Sequence, residues 1–305
     1  MTAYVIAFQA NTGNLWVQPD AAASADPELG MMAGTSPSVT GFPGGGYLIA
    51  FQANTGHLWT YSAAGGAADL ELGMMAGTSP SVAAFPTGGY LIAFQANTGH
   101  LWTYSAAGGA ADLELGMMAG TSPSITIDES GYLIAFQADT GYLHTYSELG
   151  VSTNLELGMM EGTSPSITTG DDGIPVIAFQ ANTGHLWTYS AAGGPTNREL
   201  GMTAGTSPSV TGFPVGGYLI AFQANTGHLW TCSAAGGAAD LELGMMADTS
   251  PSIMTLTTGA YLIAFQANTG HLWIYSAAGG AADLELGLME GTSPAVADAD
   301  LPLLL

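Results

Sequence analysis

Lysine is missing from this 305-residue sequence altogether, and Arg198 is its single basic residue against 24 acidic ones. The formal charge is −23, although only 8% of residues are charged, where an ordinary domain carries about 25%. The imbalance comes from absent bases rather than a flood of acids. Nucleic-acid binding needs lysine or arginine to displace counterions from phosphates, so no nucleic-acid partner is expected. Anionic lipid surfaces are excluded for the same reason. Polyanionic or sialylated ligands are disfavoured, and neutral ligands are the expected ones.

Cysteine is nearly absent too. Cys232 stands alone, at a repeat position where other units carry Tyr, so there is neither an intrachain disulfide nor a redox pair. It reads as a buried structural thiol. No apolar run approaches the roughly 18 residues of a membrane span, so no membrane insertion is expected. A charged segment followed by a short apolar one is also missing from the N-terminus, where Tyr4–Phe8 already belongs to the first repeat; no signal peptide is read in this chain. The expectation is a soluble protein, secreted or cytoplasmic. Helical periodicity is lacking throughout.

What is present is a repeat. The marker Ile-Ala-Phe-Gln ends at Gln9, Gln52, Gln95, Gln137, Gln180, Gln223 and Gln266, with spacings of 43, 43, 42, 43, 43 and 43. A period near 43 built from several short strands falls in the range of about 40–50 residues per four-stranded propeller blade. Helical repeats of that length would not be so rich in Gly, Thr and β-branched pairs. In the second full unit, Ser79–Val82 reads as a short first strand, its Pro80 suited to a strand start or edge. Tyr90–Gln95 is a second strand, Asn97-Thr98-Gly99 a tight hairpin, His100–Tyr104 a third strand, and Leu113–Leu115 a fourth. Alternation gives each blade two unlike faces: His57, Trp59 and Tyr61 on one side of strand three, Leu58, Thr60 and Ser62 on the other. The fold class is therefore all-β: a single seven-bladed β-propeller over residues 1–305, with four-stranded antiparallel blades. The chain starts at strand two, and Gly291–Val296 is a strand one. The C-terminal strand is thus expected to pair with Tyr4–Gln9, so that residues 291–305 complete the first blade and remove two exposed edges.

Strand directions place the Asn-Thr-Gly hairpins and the strand-four-to-strand-one links, such as Leu72–Ser79, on one rim. That rim barely varies between units, whereas the loops of the other do. Constancy fits either function there or fixed packing duties. The candidate pocket is the cleft between blades on the constant rim, lined by Gln52, Asn54, His57 and Trp59 under a Met pair. Its equivalents are Gln95, Asn97, His100 and Trp102; Gln180, Asn182, His185 and Trp187; Gln223, Asn225, His228 and Trp230; and Gln266, Asn268, His271 and Trp273. Amides and imidazole offer directed hydrogen bonds, and an aromatic face packs on apolar C–H surfaces, a set suited to neutral glycans. Each member also has a purely structural reading: Gln satisfying buried backbone, Asn serving the turn, Met filling gaps. The first unit has Asn14 for His; the fourth has Asp139 for Asn, Tyr142 for His and His144 for Trp. Five competent sites are expected.

Catalysis needs unlike groups converging, whereas a repeat spreads like groups around a ring, so no enzyme is expected. Neither a metal nor a cofactor is expected: equivalent histidines on sheets about 10 Å apart cannot share an ion whose ligands sit at about 2 Å. The Asp-Leu-Glu triplets (Asp69/Glu71, Asp112/Glu114, Asp240/Glu242, Asp283/Glu285) read as carboxylates on one solvated face of the outermost strand.

The segments Gly77–Val82, Ile92–Trp102 and Leu113–Met118 resemble the PLL-like β-propeller family of bacterial lectins and, more loosely, tectonin-type repeats. The resemblance spans the chain and is carried best by the hairpin with His-Leu-Trp and by the Ser-Pro strand. It implies seven blades, sugar sites between adjacent blades with an aromatic wall, and recognition of fucose or O-methylated sugars. Two function classes follow: a multivalent lectin, or a structural or protein-interaction propeller without sugar sites, engineered or recently amplified.

Overall fold

The computed structural model describes residues 4–20, 22–170, 173–256 and 258–299, which form twenty-seven strands and no helix. Six sheets have four antiparallel strands in sequence order; one consists of Ser38–Gly41, Tyr47–Gln52, His57–Ser62 and Gly66–Gly73. The seventh pairs Leu15–Pro19 with Tyr4–Gln9, and Tyr4–Gln9 with Ala295–Asp298, in the register Tyr4↔Asp298 through Ala7↔Ala295. The expected closure of the seven-bladed ring is thus present. In this blade the fourth strand is reduced to two bridges, Asn14↔Gly30 and Val17↔Ala25. Pro19 and Pro27, which replace Ser and Leu of other units, remove two backbone donors from that pair.

The first strand of every blade lines the axis and touches the first strands of both neighbours, in an unbroken circuit that returns from Ala295–Asp298 to Ser38–Gly41. Two belts of serine hydroxyls stitch this circuit. In one, the backbone N–H of Ser36, Ser79, Ser122, Ser164, Ser207 and Ser250 donates to the hydroxyl of the next member at 2.8–2.9 Å. The N–H of Ser293 then donates to Ser36 Oγ across the seam. In the other, six serine hydroxyls accept from an N–H of the following blade at 3.0–3.2 Å, starting with Val82 N–H to Ser38. At the seventh place stands Ala295, which offers no hydroxyl, so this belt is open at the seam.

The core is not one mass but a series of layers between blades. Leu48, Ala50 and Leu58 of one blade pack on Val82, Ile92 and Phe94 of the next, flanked by Trp102 and Tyr104. Toward the preceding blade, Ile49, Phe51, Trp59 and Tyr61 pack on Val5, Ala7, Leu15 and Val17. The bulky face of each blade thus meets the flatter face of the one before it. The seven phenylalanines of the marker are fully buried, six of them against the tryptophan opposite, as for Phe94–Trp102 with centroids 6.3 Å apart and tilted by 47°.

Candidate functional site

The hairpin rim is built by the link that leaves strand four. Past Gly73, the N–H of Met74 donates to Gly56 O of its own hairpin, while the N–H of Met75 donates to Gln95 O of the next blade. The next hairpin answers: Asn97 N–H donates to Gly73 O at 3.1 Å. Asn97 also lays its amide on Gly73, so closely that a Cβ there would lie 2.5 Å from Nδ2. That contact explains the glycine ending strand four in every unit. Met74 is buried in the inter-blade layer, and Met75 is half-buried.

The predicted residues divide between two faces. Gln52, Gln95, Gln180, Gln223 and Gln266 lie on the small-residue face, sealed from solvent. Their amide nitrogens donate to backbone carbonyls of the link: Gln52 to Met74 and Met75 (3.3 and 3.2 Å), Gln95 to Met117 and Met118, Gln180 to Thr203, Gln223 to Met245 and Met246, and Gln266 to Leu288. Their Oε1 atoms are buried without a partner. His57 and Trp59, together with His100/Trp102, His185/Trp187, His228/Trp230 and His271/Trp273, occupy the opposite, aromatic face, which turns toward the preceding blade. Asn54, Asn97, Asn182, Asn225 and Asn268 are exposed at the hairpin tips and reach that same preceding blade. One cleft therefore gathers Asn97, His100 and Trp102 of one blade under the Met74–Met75 link of the blade before it. Gln52 backs that link from beneath, and the structure does not bring it together with His57. The tryptophan indole N–H groups are buried without a partner of ordinary hydrogen-bond geometry, those of Trp102 and Trp273 coming near enough to Asp112 and Asp283 to help lower their pKa values.

The carboxylates of the fourth strand are exposed, as expected, but the aspartates also carry partners. A bulge interrupts the alternation between His57↔Gly73 and Trp59↔Asp69, and Glu71 adopts φ +56°. Asp69 turns back to accept from Glu71 N–H at 2.8 Å and meets His57 Nδ1 at 3.2 Å. The same pairs are His100–Asp112, His228–Asp240 and His271–Asp283 at 3.1–3.2 Å, with the imidazoles 40–41% exposed. The Glu114 N–H, and then the imidazole of His100, hold the Asp112 carboxyl below its ordinary range; Asp240 and Asp283 are lowered in the same way. A constant separation of twelve residues between His and Asp was the available signal for this pairing. His185 has no carboxylate partner among the described residues, because Asn197 stands in the place of Asp.

The two divergent units keep the architecture with other chemistry. Asn14 Nδ2 donates to Asp26 at 3.2–3.3 Å, reproducing the His–Asp link with an amide. His144 fills the tryptophan position against Phe136, centroids 5.6 Å apart, and burial pushes its pKa down against the opposing pull of Asp139. Its Nε2 is as unpartnered as the indoles.

Open hollows lie on the other rim. Cavities of about 550 and 490 Å³ open near the axis beside Asp128, Glu129 and Ser130, and one of about 380 Å³ lies between the fifth and sixth blades. Among the described residues, no group of three or more His, Cys, Asp or Glu is placed to hold a metal ion, and no helix is long and apolar enough to cross a membrane.

No protein-family description and no curated protein matches the chain. Solved structures do. Aleuria aurantia lectin in complex with Fucα1-6GlcNAc is similar at 12% identity and TM-score 0.59, over 83% of this chain and 95% of that one. AofleA from Arthrobotrys oligospora is similar at 13% identity and TM-score 0.61, over 86% and 89%. A Staphylococcus aureus virginiamycin B lyase is similar at 14% identity and TM-score 0.57, over 82% and 84%. The Aleuria lectin is described as six-bladed, whereas this ring has seven blades. At such identities the likeness is one of fold: a β-propeller architecture that carries both lectins and lyases.

Proposed function

We propose that this chain is a multivalent lectin of the PLL-like kind, a non-enzymatic propeller that takes neutral sugars of the fucose or O-methylated type into clefts between blades on the hairpin rim. The observation that carries this reading is the repeated imidazole–carboxylate pair beside an aromatic ring at an exposed inter-blade rim. With Asp69 accepting from Nδ1–H, the His57 ring is held in one tautomer and presents Nε2 as an acceptor. The asparagine amide supplies both donor and acceptor, and the tryptophan supplies an apolar wall. Gln52 and its equivalents position the link rather than touch the sugar. Clefts with His57, His100, His228 and His271 are complete; the His185 cleft lacks the carboxylate and binds more weakly. Weak sites around one ring gain strength by avidity on multivalent glycans. The similar folds of lectins solved with fucosides agree with this reading.

The test is a glycan array with competition by free fucose and methyl fucoside. Wild type should bind and be displaced. A chain with His→Ala at 57, 100, 185, 228 and 271 should lose binding while keeping its β circular-dichroism spectrum. Unchanged binding by that variant would refute the site. A blank array for the wild type would favour the second reading, a structural or interaction scaffold, which the placement of the larger open cavities on the other rim supports.

A further inference from the structure

The sevenfold repeat is also broken between the fifth and sixth blades, where two departures face each other. Arg198 takes the place of Leu70, Leu113, Leu241 and Leu284, and Cys232 that of Tyr61, Tyr104 and Tyr275. In an ordinary unit that leucine packs against the same inter-blade layer as the tyrosines of the next blade, as Leu70 does with Tyr90 and Tyr104. Here a small thiol replaces one tyrosine, and a guanidinium replaces the leucine opposite. Arg198 Nε donates to Thr188 Oγ1 at 3.1 Å, an Nη donates to Tyr218 Oη, and the guanidinium lies 5.6 Å from the Tyr218 ring centroid. Cys232 is 1% exposed beneath it; burial raises its thiol pKa, with Arg198 pulling the other way.

A cavity of about 170 Å³ lined by Arg198 and Thr188 and one of about 380 Å³ share Val176, Ser190, Gly193 and Tyr218 as walls. The size suits a small molecule. Three features set its chemistry. Two of the five guanidinium N–H groups are engaged, so donors remain in the fork geometry that matches a carboxylate. Among the described residues, Arg198 forms no ion pair. The remaining walls combine aliphatic surface with serine and threonine hydroxyls. The formal charge of −23 opposes polyanions, but exposed charges more than about 8 Å away are largely screened at physiological salt.

We infer that the cleft between the fifth and sixth blades, on the rim away from the hairpins, is a single binding site for a small monocarboxylate with a hydroxylated or apolar body, held by Arg198. It is independent of the neutral-sugar clefts: one site per chain rather than a repeated one, selecting for charge rather than against it. Titration calorimetry with glucuronate, and with glucose as the uncharged comparison, tests it. Wild type should bind one glucuronate per chain, more weakly as salt rises, and should show no glucose binding with that stoichiometry. Arg198→Leu restores the residue that other units already carry, so it should fold. It removes the cation and should weaken glucuronate at least tenfold. The inference is overturned if wild type fails to bind glucuronate, or if Arg198→Leu binds it as well as wild type. Fucoside binding by Arg198→Leu should be unchanged, which separates this site from the hairpin-rim clefts.

Discussion

A single side chain recurs in a strained place in every unit. Glu28, Glu71, Glu114, Glu156, Glu199, Glu242 and Glu285 all have φ between 56° and 60°, a left-handed conformation that costs an L residue about 1–2 kcal/mol. What holds it is also constant: an Asp or Asn two residues earlier accepts the glutamate N–H at 2.7–2.8 Å, including Asn154 and Asn197 where Asp is absent. Asp112→Ala should therefore lower the melting temperature at neutral pH, whereas Asp112→Asn should retain most of it. The acid response has a definite sign. Asp112, Asp240 and Asp283 have folded pKa values below the ordinary one. Their contribution is complete above the unfolded carboxylate pKa of about 4, and it is lost as pH falls through the lower folded values. Melting temperature should hold down to about that pH and drop below it. A variant with Asn at positions 69, 112, 240 and 283 should show a shallower drop; an identical acid profile would remove these carboxylates from the account. Because they are exposed, solvent screening keeps the effect small.

Strands and blades were largely readable in advance. Period-two alternation assigned the two faces of each blade correctly, since only one arrangement buries both aromatic and small residues around a ring. The bulge at Leu70–Leu72 was not readable: an interruption of register leaves no compositional mark beyond the Asx-x-Glu spacing. It decides that Asp69, though exposed, reaches His57. Burial of Gln52 likewise depends on where the link to the next blade runs, a question of contact between units rather than of pattern within one. The inner belt gives a prediction at this scale. Ala295 leaves the Val39 N–H without the serine acceptor its six counterparts have. Ala295→Ser should stabilise the ring by about 0.5–1.5 kcal/mol, the net worth of one hydrogen bond, read as an increase in the denaturation midpoint with unchanged slope.

For the whole molecule, stability rests on closure. Each inter-blade layer is formed by two units, so an open chain would leave the facing surfaces of its first and last units uncovered, along with the backbone edge of Tyr4–Gln9 that Ala295–Asp298 now covers. Removing residues 291–305 should abolish a single cooperative melt and produce concentration-dependent association, seen by light scattering. A truncated chain that remains monodisperse with the wild-type melting temperature would show that the seam contributes little.

The sequence by itself determined the number of blades, the strand order within them, the faces that pack, and the strand that closes the ring, because these follow from local periodicity and from chain direction repeated many times. Only the tertiary structure decided which residues share a cleft: a site between blades is assembled from two units, and spacing within one unit carries no information about its neighbour's reach. That is why the reach of Asn97 to Gly73 of the preceding blade and the confrontation of Arg198 with Tyr218 and Cys232 emerged only once the blades were stacked.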